Sequence, residues 1–280
     1  MTSLHTAPHA VKRHPHLQTM RAGGRQFRAA LWKASPDTDQ PPARPLLFFN
    51  GIGANIELMA PLADWLPNRD IFTFDMPGVG GSPSPIVPYR ASTMATCATQ
   101  MLKQLDYTGQ VDVMGVSWGG AMAQQFTLQH PSRVGRLVLA ATTAGMLMIP
   151  GSPKALVKMA NPRRYVDPNY MRANFETLYG DELGDSTHTN HLRPPSQLGY
   201  LYQLAAMAGW TSALSLPFMS HQTLIVMGRD DKIVPVINGR FLASLIPKGR
   251  LEIVPGGHLF MVTKPQTSIP LIDEFLSEPD

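Results

Sequence analysis

The stretch VDVMGVSWGGAMAQQFTLQH (111–130) decides how the chain is read. Its first half is a short apolar run of the kind that a fully buried strand presents. From Trp118 onward small and apolar residues follow helical spacing, and Pro131 ends the pattern. Between the two, Ser117 stands among Gly115, Gly119 and Gly120. Glycines at that density mark a turn too tight for side chains, so strand, turn and helix follow one another directly. In that setting the serine is expected at the tip of the turn, in a strained backbone conformation, with its hydroxyl above the end of the strand.

The same alternation runs outward in both directions. RQFRAALWK alternates as a half-buried strand does, and the proline-rich ASPDTDQPPARP follows it as a linker. PLLFFNGIG and IFTFDMPGVGGS read as strands entering glycine loops, each followed by a helical pattern (NIELMAPLADWL and ASTMATCATQMLKQL). RLVLAAT is a further strand. Near the end TLIVMGRDD, VINGRFLASLI, LEIVPGGH and IPLIDEFLS give strand, helix, strand, helix. Continuous apolar strands separated by helices imply a mostly parallel α/β sheet covered on both faces. One stretch breaks the rhythm: 144–220 holds short helical patterns (PKALVKMA, QLGYLYQLAAMAGW) and loops rich in Pro, Gly and Asn. The expected organisation is a mobile tail over 1–22, a core made of 23–143 and 221–280, and a helical cap or lid over 144–220.

Composition narrows the function classes. Of 280 residues 44% are hydrophobic and 16% charged, which suits a globular domain with a large core. The 24 Lys and Arg against 20 Asp and Glu leave +4, spread without blocks of like charge, so no nucleic-acid partner is expected. Cys97 is the single cysteine, and its helical context suits a buried thiol. No leader and no membrane span is read from the sequence, so a cytoplasmic protein without integral membrane association is expected. His5, His9, His14 and His16 crowd the N-terminus between prolines without metal-ligand spacing.

A serine hydroxyl is a poor nucleophile at neutral pH, so a base must take its proton and an acid must orient the base. For a serine on this kind of turn, the acid should follow a late strand and a histidine should come after it. Asp230 and Asp231 end TLIVMGRDD, and His258 lies in the glycine loop after LEIV. The framing GRDDKIVP places Asp231 beyond the strand end, in the turn, which favours it over Asp230. The other histidines beyond Ser117 fit less well: His130 ends a helix, His188 and His191 lie in the cap, and His221 precedes a strand. An acyl-transfer intermediate also needs two donors for its oxyanion. The expected pair is the Trp118 N–H and, from the loop Phe49-Asn50-Gly51-Ile52-Gly53, the Ile52 N–H. DMPGVGGS lacks the Lys-Ser/Thr of a phosphate loop, so it reads as loop-shaping, with Asp75 a turn and capping residue. No metal and no cofactor are expected.

These residues resemble the α/β-hydrolase superfamily. FNGIGAN, FDMPGVGGS, GVSWGGAMAQQF, NPRRYV, LYQLAAMAGWTS and GGHLF together are similar to the intracellular poly(3-hydroxyalkanoate) depolymerases of medium-chain-length storage polyesters. The resemblance implies an α/β-hydrolase fold, cleavage of the polyester to 3-hydroxyacids through an acyl-enzyme on cytoplasmic granules, and a Ser117–Asp231–His258 triad. A cysteine at position 117 would suit the related polymer synthases; a serine stands there. AGMLMIPG and LYQLAAMAGW supply flexible apolar side chains for an apolar acyl chain, with Asn50, Met146, Met148, Tyr200 and Trp210 as candidate substrate contacts. Tyr165, Tyr200 and Trp210 are not divided between pocket and packing. The alternatives are a small-molecule carboxylesterase, a lactone or C–C bond hydrolase with the same triad, and a catalytically silent granule-binding or receptor-type protein.

Overall fold

Leu46, Leu47, Phe48 and Phe49 are all buried, yet they enter two different cores. Successive side chains of a strand point to opposite faces, so an unbroken apolar run requires cover on both sides. The computed structural model, which describes residues 10–36, 42–161, 163, 167–180 and 193–279, supplies that cover. Its eight strands among the described residues are β1 (His16–Ala22), β2 (Arg25–Trp32), β3 (Leu46–Phe49), β4 (Ile71–Phe74), β5 (Val111–Val116), β6 (Val134–Ala140), β7 (Thr223–Gly228) and β8 (Gly249–Val254). They form one sheet in the order β1-β2-β4-β3-β5-β6-β7-β8. β1, β2 and β4 pair antiparallel, and every pairing from β4 through β8 is parallel.

The helices are α1 (Ala60–Trp65), α2 (Ala91–Gln104), α3 (Trp118–Gln129), α4 (Pro153–Ala160), α5 (Pro168–Tyr179), α6 (Gln197–Met207), α7 (Val236–Leu245), α8 (Phe260–Thr263) and α9 (Pro265–Ser277). α2, α3 and α7 bury Met94, Phe126 and Leu242 with Phe49 and Leu47 on one face. α1 and α9 bury Leu62, Ile272 and Phe275 with Leu46 and Phe48 on the other. Cys97 is buried in α2, and burial pushes its thiol above the usual range. No described helix is long and apolar enough to cross a membrane.

One expectation needs correction. Residues 16–22, assigned to a mobile tail, form β1, paired with β2 from His16↔Leu31 to Ala22↔Arg25. The strand escapes a pattern reading because it is an edge strand that buries only Met20 and Ala22. Just before it, the Arg13 guanidinium is fixed by the carbonyls of Lys33, Ala63, Leu66 and Arg69. Within 144–220, the stretch PNYMRANFETLY forms a helix beside the two whose patterns the sequence shows. Asp167 caps α5 by accepting from the Asn169 and Tyr170 N–H groups, Pro168 opens it, and Gly180 closes it in the left-handed region (φ 76°).

The insertion between β6 and β7 reaches the loops that follow the parallel strands. α6 turns Gly199, Gln203 and Ala206 inward and leaves Leu198, Leu201 and Leu204 exposed. A helix with leucines outward and a glutamine inward reverses the ordinary amphipathic arrangement. His188, His191 and Tyr165 lie outside the described residues, as do His5 and His9.

Candidate active site

The tight turn after β5 is built from missing side chains. A Cβ on Gly115 would run into the Gly119 carbonyl, and one on Gly119 into the carbonyls of Phe49 and Asn50. The start of α3 therefore lies directly on the ends of β3 and β5, which only glycine permits. Ser117 pays for this proximity with φ 55° and ψ −121°, a conformation that costs a non-glycine residue about 1–3 kcal/mol. Neighbouring bonds hold it there. Its N–H donates to Ala140 O (2.9 Å), and its carbonyl accepts from the Gly120 N–H (2.9 Å) and the Thr142 hydroxyl (2.7 Å).

The strain aims the side chain. Ser117 Oγ lies 3.0 Å from His258 Nε2, and His258 Nδ1 lies 2.8 Å from Asp231 Oδ2. The second carboxylate oxygen, Oδ1, accepts from the N–H groups of Ile233 and Val234, both at 2.8 Å. Three hydrogen bonds thus fix the Asp231 side chain, which is wholly buried, while Asp230 is exposed and uses its N–H on Gly256 O. With the proton on Nδ1, the imidazole leaves Nε2 as the acceptor for the serine hydroxyl. The His258 N–H donates to Tyr179 O (2.6 Å), so the last turn of α5 supports the histidine loop.

The loop after β3 closes the other side. A Cβ placed on Gly51 would sit 3.8 Å from Ser117 Cβ, so the loop that carries Ile52 passes beside the serine at Gly51. Trp118 opens α3, and its N–H is one of those a helix leaves without an intrahelical acceptor. The side chain of Asn50 is used within the loop: Nδ2 donates to Asn55 O (2.9 Å) and Oδ1 accepts from the Gly51 N–H (3.0 Å). Behind it Asp75 accepts from the Ile56 and Gly81 N–H groups and from Arg28. Burial still pushes the Asp75 carboxyl above its usual range, whereas Arg28 is held charged chiefly by Glu57. DMPGVGGS is thus folded inward upon Asp75. No three His, Cys, Asp or Glu side chains converge as metal ligands would among the described residues.

A strained serine at a strand–helix turn, a histidine and a buried aspartate on the loops after later parallel strands, and helices on both faces of the sheet form one pattern. A sequence profile of the alpha/beta hydrolase fold matches residues 44–197. The chain belongs to that family.

Among relatives of this hydrolase, a poly(3-hydroxyalkanoate) depolymerase from Ectopseudomonas oleovorans is 46% identical over 245 residues, covering 85% of this chain and 86% of the other. A 2-hydroxymuconate semialdehyde hydrolase from a Pseudomonas species is 28% identical over 84% of this chain and 88% of its own. An esterase from Exiguobacterium antarcticum shares the fold with a TM-score of 0.77 at 20% identity, covering 93% of this chain and 99% of that one.

The remaining candidates of the hydrolase take separate places. Met146 and Met148 are exposed on the segment after β6, which meets Trp210 through the Met146 N–H and Trp210 O (2.9 Å). The Trp210 indole N–H donates to Gln125 on α3 (2.8 Å), a packing contact between insertion and core. Tyr200 is half-buried on α6. Sequence reasoning missed Gln203, Tyr179 and Thr142, which touch the site region from behind. Gln203 shows in the sequence only as a polar residue four positions after Gly199 in a mostly apolar helix, a signal that helical periodicity does not single out.

Proposed function

We propose that this hydrolase is a serine esterase that cleaves intracellular poly(3-hydroxyalkanoate), preferentially of medium chain length, to 3-hydroxyacids. Its identity of 46% with a depolymerase of that name, sustained over 85% of the chain, carries the reading. The hydrogen-bonded series from Asp231 through His258 to Ser117 supports the mechanism. Ser117 Oγ attacks the ester carbonyl while His258 Nε2 takes its proton. The N–H groups of Trp118 and Ile52 hold the oxyanion, and losing one such donor typically costs about 3 kcal/mol. His258 then protonates the leaving alcohol and activates water to release the acid, while Asp231 keeps the imidazole oriented.

In this reading 144–220 is the cap, and the protein works in the cytoplasm at the granule surface. The leucines that α6 exposes, with Met146 and Met148, form the face that meets the apolar polymer. Asn50, Tyr200 and Trp210 border the acyl path. No cofactor or metal takes part.

The test is acid release from amorphous medium-chain and short-chain polyester granules beside soluble p-nitrophenyl esters. Release from medium-chain granules is expected, with turnover falling about 10⁴- to 10⁶-fold in Ser117→Ala. Turnover of soluble esters alone would move the function to a small-molecule hydrolase, the reading that the 28% identical 2-hydroxymuconate semialdehyde hydrolase favours. Near-parent turnover by a pure Ser117→Ala preparation would remove the serine mechanism altogether.

A further inference from the structure

We propose that Gln203, a residue of the insertion, is a positioning residue for the oxyanion pocket and clamps its two donor segments together. Its side-chain Oε1 accepts from the Gly53 N–H (3.0 Å), next to Ile52. Its main-chain carbonyl accepts from the Trp118 indole N–H (2.9 Å). One residue of α6 thus holds both the loop after β3 and the first residue of α3, the segments that carry the two proposed donors. The inference rests on the serine-hydrolase reading but not on the polymer as substrate.

The surroundings make the clamp firm. Gln203 is 1% exposed, and a buried amide costs about 1–3 kcal/mol unless its polar atoms are bonded. An aliphatic residue of the same volume would pack at this inward position without that cost, so the amide is better explained by what it holds. The helix cannot slide to accommodate another side chain. Gly199, one turn earlier, lies backbone against backbone on Gly78, where a Cβ on either glycine would enter the other. The Ser196 N–H donates to Gly78 O (2.7 Å), and the Ser196 hydroxyl caps the helix at the Gly199 N–H (3.0 Å). α6 therefore reaches Gln203 in a fixed register.

An oxyanion contact strengthens as the tetrahedral species forms, so loosening it lowers kcat and leaves KM nearly unchanged. Gln203→Met keeps the volume and the main-chain carbonyl but removes the acceptor for Gly53. Removing a donor outright costs about 10²- to 10³-fold, and displacing one through its neighbour is expected to cost about 10- to 50-fold in kcat on p-nitrophenyl butyrate. Affinity for an alkylboronic acid, which forms a tetrahedral anion on the serine, should fall by the same factor. Gln203→Glu, which retains an oxygen at that place, should recover most of both. Should Gln203→Met fail to fold, Gln203→Asn keeps a buried amide one methylene too short for Gly53 and should show the same signature. Parent-like kcat and boronate affinity in the folded variant would overturn the proposal. So would a loss confined to KM and Tm, or a Glu variant no better than Met. Ser117→Ala, run in parallel, separates the two levels. If it is inactive while Gln203→Met is unimpaired, the clamp alone fails; if it turns over normally, the serine mechanism fails first.

Discussion

Two polar side chains bracket β5, Asp112 near its start and Ser117 just past its end, about 16 Å apart along the strand. At the first, every charge is matched. Asp112 accepts from Arg44 Nε (3.0 Å), Arg69 Nη1 (3.3 Å) and the Arg136 N–H (2.9 Å), while Arg69 also reaches Asp273 (3.4 Å). Burial pushes the Asp112 carboxyl up and the Arg69 guanidinium down, against the pull of their partners. At the second end the side chains form an open series. Asp231 is bonded on both carboxylate oxygens, His258 is bonded on both ring nitrogens, and the series terminates in a strained, partly exposed serine. A buried carboxylate is common to both ends. What distinguishes the second end is how it closes: with the proton on His258 Nδ1, its hydrogen bonds run one way and stop at the partly exposed Ser117.

Three variants sharpen or break that contrast, in falling order of effect. Asp231→Asn should leave the fold intact and lower kcat by about 10⁴-fold, because an amide no longer selects the tautomer that accepts from serine. Steady-state kinetics on a soluble ester measures this, and a loss under tenfold would mean that the series does not run through Asp231. Asp112→Ala should do the opposite. Loss of the buried carboxylate that Arg44 and Arg69 share should lower stability by about 3–5 kcal/mol, read by urea unfolding, with kcat per folded molecule unchanged. A large kcat defect there would erase the distinction between the two ends. The smallest effect belongs to the rim: Leu201→Ser and Leu204→Ser together should cut granule hydrolysis several-fold and leave soluble-ester kinetics alone, since both side chains already face water. Equal losses on both substrates would place these leucines in packing instead.

Much of this was legible in the sequence because it rests on local rules. The parallel strands announce themselves as apolar runs, and the glycines around Ser117 encode the turn that brings three elements into contact. Ser117, His258 and Asp231 could be ordered along the chain since each follows a strand. What escaped depends on relations between distant segments. β1 carries little apolar signal because an edge strand with one covered face needs little. α5 had its boundary marks in Asp167, Pro168 and Gly180, but its surroundings were rich in turn residues and masked them. Gln203 could not be found from periodicity: the leucines of α6 point outward, and an amphipathic reading would have turned the helix the wrong way round.

The contact between Gly78 and Gly199 bears on how this hydrolase can diversify. Two hydrogens are all that separate the core loop from the insertion helix, so the seat belongs to both segments and neither can change it alone. Grafting a foreign insertion onto this core would fail at that seat unless the incoming helix also carried glycine there. Residues on the outer face of α6 meet no such partner and are free to vary singly. If that outer face meets the polymer as proposed, new substrate ranges are reached most readily by repainting it, with the helix kept in its berth.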